Sequence, residues 1–128
     1  MEREEFLAQI AHAGVDVPDA LARFMGNQQL YLSFLCRSPQ AMDLEGIKQA
    51  LQTRQAEVFY KKVHDLKGLA GNLSIAPVAD LAKTIQERYR ETGFSRADEL
   101  AILLDRLEQV AAPLTDIIEK YNAQGGTE

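Results

Sequence analysis

The stretch VHDLKGLAGNL, residues 63–73, holds the residues best suited to chemistry. His64 is followed by Lys67, Gly68 and Gly71. A free imidazole titrates near about 6.5, so at pH 7 it is mostly neutral and nucleophilic. A lysine three residues on supplies a point charge that can balance phosphate oxygens. No serine or cysteine stands beside His64, which disfavours acyl transfer. The other histidine, His12, lies far away in sequence, and no Glu-x-x-His pair is present, so a metal centre is not expected. No glycine-rich turn joins a strand to a helix, so no ATP site of its own is expected.

The glycines sharpen this reading. Each costs about 1 kcal/mol against alanine in a helix interior. On a wheel advancing about 100° per residue, Phe59, Val63, Leu66, Ala70 and Leu73 make one apolar stripe. His64, Gly68 and Gly71 fall roughly 120–180° away from Phe59, on the solvent side. Two residues without side chains would leave bare backbone beside the imidazole, open to a large partner. Local rules tend to be broken at functional sites. Gly71 can instead serve the helix end, with Asn72. Gly68 resists that explanation, because apolar periodicity continues to Leu73. Tyr60, one turn before His64, either contacts it or packs at the border of the stripe. Lys61, Lys62 and Lys67 can steer an acidic partner, or simply occupy a solvated face.

The elements that must position these residues are helical nearly throughout. A first helix is expected over 2–12, with Phe6, Leu7 and Ile10 inward. A short one follows over about 18–24, capped by Asp16 and stopped by Gly26, with Leu21 and Phe24 inward. Asn27 starts a third, whose face is Leu30, Tyr31, Phe34 and Leu35, continuing through Leu44, Ile47 and Leu51. Pro39 should kink or interrupt it. After a break near Thr53-Arg54, the histidine helix runs over about 55–72. Ser74 is read as the cap of the next, with Val78, Leu81, Ile85 and Tyr89 inward and Gly93 at its end. Ser95 and Asp98 resemble a capping box for a last helix over about 96–121. Its seam is Leu100, Leu104, Leu107, Ala111, Leu114, Ile118 and Tyr121, with Pro113 expected to bend it. The predicted fold is all-α, an antiparallel up-down four-helix bundle with one or two short N-terminal helices covering one end. Residues 1–122 form a single domain and 123–128 a frayed tail.

Bulk properties agree with a soluble globular chain. It has 128 residues, 46% hydrophobic and 26% charged, with a net charge of −5. That balance disfavours a nucleic-acid role. The single cysteine, Cys36, permits no intramolecular disulfide and suits a reducing cytoplasm. No run approaches the apolar length of a membrane span. Residues 1–14 do not read as a secretory leader.

At this point His64-Asp65-Leu66-Lys67-Gly68 followed by Gly71-Asn72-Leu73 resembles the signature of histidine-containing phosphotransfer (HPt) domains, His-x-Leu-Lys-Gly-x-x-Gly-Asn-Leu. Gly14-Val15-Asp16, the run Ala20 to Phe24 and Leu30-Tyr31 resemble the N-terminal part of such a domain, and Leu81 and Ile85 match its apolar helix positions. The resemblance implies a phosphorelay intermediate, with His64 as phosphoacceptor through Nε2, Lys67 as electrostatic support and Gly68 clearing room for the partner. Tyr60, Lys61 and Gly71 complete the expected contact face. The implied partners are response-regulator receiver domains and a sensor (hybrid) histidine kinase, and the implied state is a monomer. Any Mg²⁺ belongs to the receiver, with no cofactor on this chain. The chain departs from the pattern at Ser74-Ile75, Val63 and Arg54-Gln55. Positive φ at Arg54 would be strained, so a shifted turn is expected there. A phosphate-independent docking module is the other reading of the same face.

Overall fold

The computed structural model describes residues 1–125. Among them lie eight helices: α1 Arg3–His12, α2 Val17–Arg23, α3 Gln28–Leu35, α4 Ser38–Met42, α5 Leu44–Gln52, α6 Ala56–Asn72, α7 Ala76–Thr92 and α8 Ala97–Ala123. The fold is an all-α bundle. α6 packs between α5 and α7, and α8 closes the ring against α7 and α5 while α1 lies along α8. The links 73–75 and 93–96 are too short for anything but antiparallel neighbours.

The seam of α8 is buried in full, from Leu100 to Tyr121. The helix runs through Pro113. The stripe of α6 is likewise buried, with Phe59, Val63, Leu66, Ala70 and Leu73 at 2% exposure or less. On α7, Val78 and Ile85 are buried as expected, but Leu81 and Tyr89 are only half-buried. Ala82 and Gln86 take the inner positions instead.

The long third helix resolves into α3, α4 and α5. Pro39 falls in the first turn of α4, where its missing donor costs little. A second break follows at Asp43, which turns left-handed (φ 47°) and caps α5 by accepting the Gly46 N–H at 3.1 Å. The buried face of α3 is Tyr31, Leu32 and Leu35, whereas Leu30 and Phe34 are each 45% exposed. Splitting the helix lets α3 rotate independently of α5, so the two need not share one stripe.

Helix ends account for the other departures. α6 does not stop at Gly71: Leu73 is its C-cap, and Ser74 follows at φ 56°. The Ser74 N–H donates to the Gly71 carbonyl and the Ile75 N–H to the Ala70 carbonyl, the paired bonds of a Schellman end. Ser74 therefore closes α6 and does not cap α7, whose N-cap Ile75 has no side-chain bond. Arg54 ends α5 in the same way, at φ 54°. The turn is not shifted: its strain is accepted, with the guanidinium bonded to the Leu51 carbonyl and 5.7 Å from the Phe94 ring centroid. Gly93 ends α7 at φ 59°. Ser95 donates back to the Thr92 carbonyl at 2.6 Å, and α8 starts after Arg96 with no side-chain cap, so no capping box forms.

The N-terminal helices are tied to the α6–α7 turn. The Asp16 N–H donates to the Ser74 carbonyl at 3.0 Å, within an isolated antiparallel bridge of Val15 with Ile75. Ser74 Oγ donates to Asp19 at 2.6 Å, and the buried Tyr31 hydroxyl donates to the Leu73 carbonyl at 2.8 Å. Phe6 of α1 stacks on Tyr121 of α8 at 3.9 Å. Of the tail expected to fray from 123, Ala123 still belongs to α8 and 124–125 form a turn. Residues 126–128 lie outside the described residues.

Candidate functional site

Burial of the α6 stripe sets the rotation of the helix, and with it everything on the opposite face. His64 and Gly68 are exposed there, and Lys67 and Gly71 half-exposed. A Cβ added at Gly68 or Gly71 would meet nothing within 4 Å. Neither glycine is required by packing inside the molecule, and neither makes a turn.

The imidazole is held from α7. His64 Nδ1 lies 3.2 Å from Gln86 Nε2, and the same nitrogen donates to the Tyr60 hydroxyl at 3.3 Å. Gln86 is 2% exposed, so its amide meets His64 and Tyr60 from the interior and is not a solvated surface group. Arg90, one turn further along α7, donates to the Tyr60 hydroxyl at 2.6 Å and lies 5.6 Å from its ring centroid. The Tyr60 and His64 rings are nearly parallel, 6.3 Å apart. The Arg90 bond holds the Tyr60 phenol below its usual pKa, with Gln86 and Lys67 acting in the same direction. With Nδ1 engaged inward, Nε2 is the nitrogen directed away from that contact.

Sequence reasoning placed His64, Lys67, Gly68 and Gly71 on one face, and the structure brings them together there. Tyr60 is not merely a border residue, because it joins the polar network. Gln86 and Arg90 were missed. The available signal was Val78-Ala82-Gln86-Arg90 at spacing four, which sets one polar residue on an inward path. The basic patch is weaker than its lysines suggest. Lys61 pairs with Asp65 at 2.8 Å and Lys62 with Asp43 at 2.5 Å, so both are largely neutralised.

Beside this face an apolar hollow of about 560 Å³ is lined by Arg23, Phe24, Phe34, Leu69, Asn72 and Leu73. Met25 (94% exposed), in the link between α2 and α3, and Leu30 of α3 are exposed apolar residues of the same N-terminal segment. Among the described residues no group of three His, Cys, Asp or Glu side chains could hold a metal. His12 lies on α1 in a separate groove with Pro77, Pro113 and Ile117. No helix among the described residues is long and apolar enough to cross a membrane.

The family model of the Hpt domain matches residues 35–118. Searches of curated proteins and of solved structures find no match. The matched span takes in α4 to α7 and most of α8, and therefore His64, Gln86 and every other polar residue of the network. With well over half of the chain under that model and the histidine helix at its centre, the chain belongs to the Hpt domain family, the helical phosphocarrier modules of two-component phosphorelays.

Proposed function

We propose that His64 accepts a phosphoryl group from a receiver-domain aspartate and passes it to the aspartate of another receiver. The observation that carries this reading is an exposed imidazole, anchored at Nδ1 by the buried Gln86, on a face cleared by Gly68 and Gly71. Attack uses the Nε2 lone pair, so at that moment the ring proton sits on Nδ1. The N–P bond forms as the aspartyl P–O bond breaks, and its electron pair leaves on the carboxylate. Transfer onward reverses these events at the second aspartate. Lys67 balances charge on the phosphoryl oxygens. The chain mainly positions the nucleophile, while the receiver brings the acidic pocket and Mg²⁺ that stabilise the transferring group.

On this reading residues 1–122 act as one cytoplasmic, monomeric domain without kinase chemistry of its own. It serves a sensor kinase, which can be a hybrid one, and its receivers. Tyr60, Lys61, Gly68 and Gly71 form the contact face, and the apolar hollow next to it adds area for the receiver.

Incubation with a phosphorylated receiver and Mg²⁺ tests the assignment. Label should appear on the chain as acid-labile, base-stable phosphate and disappear in His64→Gln. Unchanged labelling of that variant would sink it. Receiver binding with full output in His64→Ala would instead mark a docking module that carries no phosphate.

A further inference from the structure

The phosphoacceptor reading leaves open what decides which nitrogen of His64 carries the proton. That choice governs both halves of the chemistry. A neutral imidazole with its proton on Nε2 has no lone pair there and cannot attack. A phosphorylated ring with Nδ1 unprotonated is a poor leaving group, since P–N cleavage must then expel an imidazolate. With Nδ1 protonated, the bonding pair returns to Nε2 of a neutral imidazole, and loss to water is faster.

The geometry points to Tyr60 as the positioning residue that makes this choice, acting through Gln86. The phenol oxygen has two acceptor positions. Arg90 donates to it at 2.6 Å and Gln86 Nε2 at 3.3 Å. The amide nitrogen has two hydrogens, and with one given to Tyr60 the other is aimed at His64 Nδ1, 3.2 Å away. Nδ1 then accepts, and the resting proton sits on Nε2. The buried Gln86 and the guanidinium hold the arrangement in place. Attack requires the amide to turn its oxygen to Nδ1, which breaks the bond it donates to Tyr60. After phosphorylation the ring releases its Nδ1 proton to solvent, and the amide nitrogen then returns to the unprotonated Nδ1 and protects the N–P bond. Tyr60 therefore slows acceptance and lengthens the lifetime of the phosphorylated state.

Tyr60→Phe isolates this role. The phenyl ring keeps its places against His64 and Tyr89. No formal charge around the imidazole changes at neutral pH: Asp65 and Lys67 remain on α6 and Arg90 on α7. In the full chain with ¹⁵N-labelled histidine, long-range ¹H–¹⁵N correlation spectra should show the Nε2–H tautomer of His64, and Tyr60→Phe should shift it toward Nδ1–H. Phosphoramidate, a small N–P donor, then loads His64 without any receiver. The phosphohistidine of Tyr60→Phe should decay about threefold faster or more, equivalent to roughly 0.7 kcal/mol in the barrier. Gln86→Leu should act in the same direction, and the double variant should add little beyond either single change. A wild-type ring in the Nδ1–H form, or a tautomer and decay rate unmoved by Tyr60→Phe, would overturn the proposal. Failure of phosphoramidate to label wild-type His64 would overturn the phosphoacceptor reading on which the lifetime claim rests. The tautomer spectra, which need no phosphate, would still decide whether Tyr60 directs the ring.

Discussion

Gly68 is the residue at which structure and function pull apart. A side chain there would meet open space, and a helix interior gains up to about 1 kcal/mol when glycine is replaced by a better helix former. Gly68→Gln should therefore unfold at slightly higher denaturant than the parent chain, while phosphotransfer to and from receivers slows. Chemical denaturation and single-turnover transfer read the two effects separately. A variant transferring at the parent rate would show that the bare surface is not needed. Asp43 makes a second case at this scale. Its carboxyl is held below the usual range, first by the bond from Lys62 and also by the Gly46 N–H. A depressed acid contributes stability that is present above its unfolded pKa of about 3.9 and lost as pH falls through the folded value. Asp43→Ala should cost about 1 kcal/mol at neutral pH as a lost cap. The deficit against the parent should narrow below about pH 4 in a pH series of denaturation curves.

The elements differ in how their ends are closed. Gly14, Met25, Arg54 and Ser74 each follow a helix at positive φ, yet only the first is a glycine. A left-handed residue other than glycine costs roughly 1–2 kcal/mol. Arg54 and Ser74 offset part of that cost with side-chain bonds. Met25 is 94% exposed and has little to offset it. Met25→Gly should raise stability by about 0.5–1 kcal/mol, after allowance for glycine's greater unfolded-chain entropy, measurable as a rise in melting temperature. Ser74 matters more, because its hydroxyl reaches Asp19 and its carbonyl receives the Asp16 N–H. Those bonds tie the end of the histidine helix to α2.

For the whole molecule, the question is how far the N-terminal helices belong to the bundle, since the family match begins only at residue 35. Phe6 and Ile10 are fully buried, and Phe6 stacks on Tyr121. Phe6→Ala should cost about 3–5 kcal/mol, and helical and tertiary signals should be lost in one transition. Separate transitions would show that α1 is an appendage. Tyr31 ties α3 to the carboxyl end of α6, and burial pushes its phenol well above the usual range. Because its folded pKa is raised, its contribution is complete below the unfolded pKa of about 10 and is lost as pH rises past it. Alkaline unfolding should start above that pH and be blunted in Tyr31→Phe. That variant pays at lower pH, by roughly 1 kcal/mol or more, for the unpartnered Leu73 carbonyl.

What the sequence determined by itself is what a single helix decides. Once Phe59, Val63, Leu66, Ala70 and Leu73 must face a core, the 3.6-residue repeat directs His64 and Gly68 outward without reference to any other segment. The α8 seam is legible for the same reason. Tertiary structure decided whatever depends on a second element. On α3 Tyr31 and Leu35 were legible, but Leu32 stands inward where Leu30 and Phe34 were expected, because the breaks after Leu35 and at Asp43 part its register from α5. Positive φ at Arg54 and Ser74 is imposed by the turns between packed helices and is not chosen by those residues. The link from His64 through Gln86 to Tyr60 and Arg90 joins positions 22 to 30 residues apart. It exists only because α7 returns antiparallel along α6, and no local periodicity encodes which residue of one helix will stand opposite which residue of the other.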